Sequence, residues 1–300
     1  MINVYEQVDR NKIRSAIVMV FFVVFITLAA WILARALGFG LQVVGWALII
    51  AGFLSFASYW WSDKIILTIS GARPADKKKD FQFFTVAENL ALAADISKPR
   101  LYVIDDLSPN AFATGRDINH AVVCATTGLL AQLNRTELEG VIAHEISHVK
   151  NYDTRLMSIV SILAGMVVLL ADWFLRGMIF RGRSRDEGSG SLGAIFFLLG
   201  IVLSLLSPLI AQLIQLAISR RREFLADASA VMLTRQPDGL IRALEKISTD
   251  QRPLVSANKA TAHLFIVNPF KGKQAKSWLN NLFNTHPPVE ERIKLLKEML

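Results

Sequence analysis

Cysteine is almost missing from this chain of 300 residues, which contains only Cys124. A single cysteine excludes a disulfide within the chain, and this agrees with a fold that resides in a reducing compartment. We interpret Cys124 as a small buried apolar residue, because unpaired cysteines are among the most buried residues of proteins.

Charge is also scarce, since charged residues make up 19% of the chain and hydrophobic residues 53%. Four blocks are nearly free of charge, and each is long enough to cross a bilayer core, which takes about 17 to 25 helical residues. They are residues 15–37, 38–61, 157–173 and 192–218. We predict that they form two transmembrane hairpins. Buried core helices are the alternative, and it is stronger for the second pair, which is interrupted by Asp172, Gln212 and Gln215.

The first block also lacks a small-x-small cleavage site, and its apolar run is longer than the core of a signal peptide. We therefore expect a retained signal anchor. Arg10, Lys12 and Arg14 precede this block, and three lysines at 77–79 follow the second block. By the positive-inside rule both flanks are cytoplasmic. The net charge of +8 is thus interpreted as a topology signal, with the lipid bilayer as partner and no nucleic acid.

One segment carries the residues of a metal site: His144-Glu145-Ile146-Ser147-His148. On a helix, His144 and His148 lie one turn apart on the same face, so both imidazoles can reach one ion. Glu145 lies about 100° further round the helix, close enough to reach a water on that ion. The spacing is typical of a Zn²⁺ site with the glutamate as general base, and we expect one Zn²⁺ per chain.

A third ligand has to come from elsewhere in the chain. One class of zinc protease carries a third histidine six positions after the second, but that position is Thr154 here, which excludes the class. The other common ligand set adds a glutamate from a second helix, and Glu223 is the best candidate. Asp227 follows one turn later and is predicted to accept the ring N–H of a ligand histidine.

Two alternatives to this ligand set remain open. Glu223 and Asp227 could instead pair with the three arginines at 220–222 on a surface helix. Asp153 is a rival ligand, although it follows His148 too closely to fold back easily. If Glu223 does bind, it must meet the histidines on one side of the membrane. The third and fourth blocks then either both cross the bilayer or both stay on one side.

The remaining segments predict a small mixed domain. Apolar periodicity indicates a helix over residues 81–95, and a capping box at 136–139 indicates the start of the helix that carries the histidines. That helix either ends near Asn151 or continues into the third block. Alternating and β-branched runs indicate three strands at residues 101–104, 110–115 and 120–125.

With these motifs in place, the chain resembles the HtpX-type membrane zinc metalloproteases, relatives of the CAAX prenyl proteases. The matching stretches are residues 109–115, 144–148, 219–230 and 285–288. The resemblance implies a mainly α membrane protein with about four transmembrane helices and an α+β zincin-like (gluzincin) protease domain with a small β-sheet. It also implies Zn²⁺ at His144, His148 and Glu223, with Glu145 catalytic.

The resemblance further implies a multi-pass endopeptidase of the bacterial inner membrane with a cytoplasmic active site, acting in quality control under stress. The expected substrates are misfolded or damaged membrane proteins and unfolded polypeptides. We expect four parts in the chain. They are an N-terminal transmembrane hairpin at 1–62, a first protease part at 63–154, a second hydrophobic hairpin at 155–218 and a second protease part at 219–300.

Two further elements are candidates for contact with substrate. His286, held by two prolines at the start of a helix, could donate to the developing oxyanion, with Arg292 as a weaker candidate in support. A simple helix-entry role for His286 is the alternative. The run Asn110, Ala111, Phe112 and Ala113 is predicted as an exposed sheet edge that pairs with an extended substrate, or else as an ordinary buried strand. His120 and His263 are expected to be structural or exposed.

Two other functions compete with the endopeptidase. A membrane scaffold or chaperone with a structural zinc would have no need of Glu145. A prenyl-peptide protease would share the zinc site, but it would need a cavity that four membrane helices are too few to enclose.

Overall fold

The computed structural model describes residues 4–36, 42–163, 198, 201–202, 206, 220–255, 261–269 and 287–299. The helices are α1 (Val4–Ala36), α2 (Gln42–Trp60), α3 (Ser62–Ile69), α4 (Phe81–Ala93), α5 (Thr127–Gln132), α6 (Arg135–Lys150), α7 (residues 153–163), α8 (Arg220–Thr234), α9 (Pro237–Thr249) and α10 (Val289–Lys297). The strands are β1 (Arg73–Pro74), β2 (Arg100–Ile104), β3 (Ala111–Thr114) and β4 (Val122–Thr126). A 3₁₀ turn at Ala262–Leu264 precedes residue 266, whose backbone lies against β3. The described part of the chain is mostly helical, as expected.

The four strands form one sheet in the order β1-β2-β4-β3. Strand β2 runs parallel to β4, whereas β1 and β3 are antiparallel to their neighbours. The sequence pattern predicted three of these strands and missed β1. A two-residue strand that ends in Pro74 gives no alternating pattern, and proline is tolerated only at a sheet edge because it lacks a backbone donor.

Both faces of the sheet are covered, which explains why its inner strands are apolar without alternation. In β4, Val123 and Ala125 pack into a core formed with α4 and α6. The intervening Val122 and Cys124 face a second core, to which α1, α2, α3 and α7 contribute. Cys124 is fully buried, as the sequence predicted. The sheet therefore holds α4 and α6 on one side and α1, α2, α3 and α7 on the other.

The N-cap residue of α6 is Asn134, two positions before Thr136, where the predicted capping box begins. The side chain of Asn134 accepts a hydrogen bond from the backbone N–H of Glu137 at 3.0 Å, and the Glu137 carboxylate accepts from the backbone N–H of Asn134 at 2.9 Å. The segment contains two overlapping cap patterns, and the prediction chose Thr136 with Glu139. Lys246 of α9 stabilises the cap formed by Asn134 and Glu137, because its Nζ lies 2.7 Å from the Glu137 carboxylate.

Glycines let α9 approach the histidine-bearing helix closely. A Cβ added at Gly140 of α6 would lie 2.6 Å from the backbone nitrogen of Leu240, and one added at Gly239 would lie 2.6 Å from the Thr136 carbonyl oxygen. Helix α6 is thus buried between α4, α8 and α9, and a deeply buried helix is a rigid support for a reactive site.

Helix α6 ends at Lys150 and does not continue into the third block. Tyr152 has φ of 58°, a left-handed conformation that is uncommon for a residue with a side chain, and a new helix starts at residue 153. This break decides between the two alternatives for the helix end.

Helices α1 and α2 carry the apolar character of the first two blocks. The segment Asn11–Leu28 is long and apolar enough to cross a membrane, and Val44–Trp60 with Ser62–Ile69 qualifies as one span broken by a bend of 83°. Large apolar side chains point away from the protein, among them Val20 (63% exposed), Trp46 (66%) and Ile49 (62%). Most of the third and fourth blocks lies outside the described residues.

Candidate metal centre

Three predicted ligands converge at one point. The Nε2 atoms of His144 and His148 on α6 lie 3.2 Å from each other. The Glu223 carboxylate of α8 places Oε2 3.6 Å from Nε2 of His144 and Oε1 3.4 Å from Nε2 of His148. All three side chains are buried, and one ligand atom from each lies within 4.8 Å of the others. Two imidazole nitrogens and one carboxylate oxygen are a donor set typical of catalytic zinc sites that keep a position for water.

Asp227 lies behind His144, where the sequence placed it. Its Oδ1 is 2.9 Å from Nδ1 of His144, one helical turn after Glu223. Arg292 of α10 donates to the same carboxylate through Nε at 2.8 Å and through Nη2 at 2.6 Å. Burial would raise the pKa of Asp227, but the charge and hydrogen bonds of Arg292 outweigh it and lower that pKa to about 2. Asp227 therefore stays ionised next to the imidazole.

His144 is a strong base in the protein without a bound cation. Burial and the charge of Arg292 lower its pKa, but the hydrogen bond and charge of Asp227, with help from Glu223, raise the pKa to about 9. Because a metal binds the neutral imidazole, the same carboxylate would make the ligand nitrogen a better electron donor once the proton has left.

Glu145 is buried next to the two histidines on α6. Its charge reaches Cys124, whose thiol pKa is raised first by burial and then by this carboxylate. It also acts on Arg292, where burial lowers the pKa of the guanidinium but the charges of Asp227, Glu223 and Glu145 raise it. A carboxylate thus lies within the site where the sequence predicts the general base.

Asp153 folds back onto His148, contrary to the expectation that it follows too closely. Its Oδ2 lies 3.0 Å from Nδ1 of His148, the nitrogen that points away from His144. The left-handed backbone of Tyr152 turns the chain sharply enough to allow this contact. Asp153 therefore faces the back of the imidazole and is not in the group of convergent ligand atoms.

Strand β3 lies at the sheet edge, but the predicted run Asn110 to Ala113 is not open to solvent. All four side chains are buried. The backbone N–H of Ile266 donates to the Ala111 carbonyl at 2.9 Å, and the Phe265 ring lies 5.2 Å from the Phe112 ring. The edge position is as predicted, whereas the expected exposure is wrong at Ala111, because a later segment that the sequence pattern did not place covers it.

The other predicted residues divide into three groups. His286 and the side chain of His263 lie outside the described residues. His120 is exposed, and its Nδ1 is 2.7 Å from Asp117, so it lies on the surface as expected. Arg292, predicted as a support for the oxyanion, is fully buried and donates to Asp227 and to the Ile266 carbonyl.

The comparisons with known proteins identify a family for the chain. The model of peptidase family M48 matches residues 77–300. A protein called protease HtpX homolog from Caldanaerobacter subterraneus is 43% identical over 297 residues, which are 98% of this chain and 97% of that protein. One from Thermoanaerobacter pseudethanolicus is 49% identical over 247 residues, or 82% of this chain and 81% of that protein.

Among solved structures, the crystal structure of S. mikatae Ste24p is similar with a TM-score of 0.46 and 17% identity. The match covers 96% of this chain and 66% of that chain. The family match and the near full-length relatives are specific enough to assign the chain. It therefore belongs to peptidase family M48 as an HtpX-type, membrane-bound metalloprotease.

Proposed function

We propose that the protein is a zinc endopeptidase in which His144, His148 and Glu223 hold one Zn²⁺. The convergence of two imidazole nitrogens and one carboxylate oxygen in a buried site carries the proposal. This donor set suits zinc better than calcium or magnesium, which prefer oxygen ligands alone. Bound zinc would supply Lewis acidity, which polarises a peptide carbonyl and makes a water acidic near neutral pH.

The side chains around this position divide the remaining work. Glu145 takes a proton from the attacking water and returns it to the nitrogen of the leaving amine. Asp227 holds the ring of His144 through Nδ1, so that its Nε2 faces the site. His286 donates to the developing oxyanion, and Arg292 keeps Asp227 ionised from behind.

The end of edge strand β3 at Ala113 pairs with an extended substrate, beyond the part of the strand that Ile266 covers at Ala111. The Asn110 carbonyl accepts from the backbone N–H of Thr126 on β4, whereas the Ala111 carbonyl points away from β4 and accepts from Ile266. Because backbone groups alternate in direction along a strand, those of Ala113 also point away from β4. Pairing at Ala113 would recognise the peptide backbone and ignore side chains. Such recognition supports broad specificity for unfolded or damaged polypeptides.

The chain acts in the bacterial inner membrane, with about four membrane helices and a gluzincin-type protease domain on the cytoplasmic side. The apolar and exposed helices α1 and α2 support this location, as do the basic flanks of the first two blocks. The division at residues 62, 154 and 218 separates two membrane hairpins from two protease parts, which together bring Glu223 to the histidines.

The test is zinc analysis combined with cleavage of casein and of a detergent-solubilised, destabilised membrane protein. Wild type is expected to bind one zinc and to cleave both substrates. Glu145→Gln should keep the zinc and lose cleavage by a factor of about 10² or more, since a general base typically supplies 10²- to 10⁴-fold. Glu139→Gln, near the start of the same helix and paired with Arg135 at the surface, is the matched control and should retain activity. Undiminished cleavage by Glu145→Gln would exclude the mechanism.

A further inference from the structure

The first membrane helix reaches the back of the metal centre. Asn11, seven residues into α1, is buried and donates through Nδ2 to the Asp153 carboxylate at 2.8 Å and to the Asn151 carbonyl at 2.9 Å. A side-chain amide has two N–H donors, so these two contacts use both of them. Helix α1 is thus joined by hydrogen bonds to the turn that follows His148.

Asp153 lies at the centre of these contacts and is itself buried. One oxygen accepts from Asn11, and the other lies 3.0 Å from Nδ1 of His148. Arg222 of α8, also buried, approaches the first oxygen at 3.6 Å and supplies a positive charge. Burying a carboxylate is costly unless it is hydrogen-bonded and charge-balanced, and each partner here comes from a different helix.

The backbone that presents Asp153 is strained. Tyr152 adopts φ of 58°, which costs free energy for a residue with a side chain and persists only where the surroundings enforce it. Asn11 binds the carbonyl just before this residue and the carboxylate just after it. It therefore holds the turn on both sides, in addition to the backbone hydrogen bond from Tyr152 N–H to the Val149 carbonyl at the helix end.

We propose that Asp153 is a positioning residue for the zinc ligand His148, and that α1 holds Asp153 in place through Asn11. Asp153 accepts the Nδ1–H of His148, which fixes the tautomer whose Nε2 lone pair faces His144 and Glu223. The membrane helix then contributes to metal affinity as well as to anchoring. The inference rests on the proposed zinc site and deepens it.

Zinc affinity of the purified full chain in detergent tests the proposal, measured by competition with a chromophoric chelator of known affinity. Asp153→Asn should weaken binding by about 10- to 100-fold, as expected for a residue that orients a ligand. Asn11→Ala removes both hydrogen bonds to the turn and should weaken zinc binding by about fivefold or more, since each such bond contributes about 1 kcal/mol. In the Asp153→Asn background, Asn11→Ala should cost less than in the wild type, because the two residues share a contact.

Ser15→Ala is the matched control, since Ser15 is buried one turn further along α1 and, among the described residues, its hydroxyl donates within that helix to the Asn11 carbonyl. It should bind zinc as wild type does. Replacement of zinc by Co²⁺ gives a second readout: the visible bands should shift in Asp153→Asn and Asn11→Ala but not in Ser15→Ala. Asn11→Ala removes no apolar packing, so it decides the question even if Asp153→Asn fails to fold.

Equal zinc affinity in Asn11→Ala and Ser15→Ala would overturn the role of α1, and wild-type affinity in Asp153→Asn would overturn the role of Asp153. His148→Ala separates these results from the proposed site. If His148→Ala loses zinc while both other variants keep it, only the present inference fails. If His148→Ala also keeps wild-type affinity, the zinc site and the inference fail together.

Discussion

Arg292 donates to both carboxylate oxygens of Asp227, from Nε to Oδ2 at 2.8 Å and from Nη2 to Oδ1 at 2.6 Å, and neither residue is exposed to solvent. The pair joins α10 to α8 directly behind His144. Its burial makes it costly to break, because the remaining partner would be left charged without a counter-ion.

Arg292→Met is expected to lower the free energy of unfolding by about 3 to 5 kcal/mol, the usual cost of leaving one member of a buried ion pair alone. Thermal or denaturant unfolding of the metal-free protein in detergent measures it. Arg135→Met is the control, because Arg135 forms an exposed pair with Glu139 and should cost about 1 kcal/mol or less. Equal losses in the two variants would show that the buried pair has no special role in stability.

Metal binding is expected to release a proton at neutral pH. The pKa of His144 is about 9 in the metal-free protein, so the imidazole is protonated at pH 7 and must become neutral to bind. Apparent zinc affinity should therefore increase with pH up to about 9 and then level off. The number of protons released is measured by titration calorimetry of zinc binding in two buffers that differ in ionisation enthalpy.

Asp227→Asn provides the control for this proton. It removes the partner that raises the pKa of His144 most, so the proton count at pH 8 should fall towards zero. In the wild type without metal, the same linkage makes the stabilisation from His144 complete below its ordinary pKa of about 6.5 and lost as the pH rises through about 9. An unchanged proton count in Asp227→Asn would contradict the assignment to His144.

Gly140→Ala is expected to destabilise the fold by about 1 to 3 kcal/mol, because the added methyl group would push the backbone of α9 away from α6. The melting temperature of the metal-free protein reports the change. Gly45→Ala in α2 is the matched substitution: no atom lies within 4 Å of the added methyl group, and alanine is the better helix former. A neutral Gly140→Ala would mean that α6 and α9 are further apart than described.

Two single substitutions distinguish the two possible caps of α6. Asn134→Ala should cost about 1 kcal/mol, since it removes the acceptor for the Glu137 N–H. Thr136→Ala, at the position that the sequence pattern favoured, should cost less because Thr136 lies inside the helix. The midpoints of denaturant unfolding compare the stabilities of the two variants. A larger loss for Thr136→Ala than for Asn134→Ala would support Thr136 as the N-cap.

What the sequence predicts well depends on local geometry. His144 and His148 follow from helical spacing alone, and Glu223 with Asp227 repeats the same one-turn relationship on a second helix. The strands around residues 101–125 follow from apolar, β-branched composition. Each of these signals lies within a few consecutive residues, where backbone periodicity limits the possible arrangements.

The contacts that complete the site have no such signal. Asn11 and Asp153 are 142 positions apart in the sequence, and Arg292 and Asp227 are 65 positions apart. A single asparagine or arginine forms no periodic pattern from which such a contact could be predicted. Asp153 reaches back to His148 because Tyr152 adopts a left-handed backbone conformation. A tyrosine in the sequence does not predict that conformation. The cover over Ala111 comes from residue 266, within a stretch without regular apolar periodicity.

Arg292 has one more consequence, which concerns the order in which the chain is made. Synthesis proceeds from the N-terminus, so α1, α6 and α8 are complete before α10 exists. A nascent chain that ends after Thr249 already contains both histidines, Glu145 and Glu223, but its Asp227 has no guanidinium opposite it. Until residue 292 is in place, burying that carboxylate is costly, so the pair behind His144 can form only after α10 has been made.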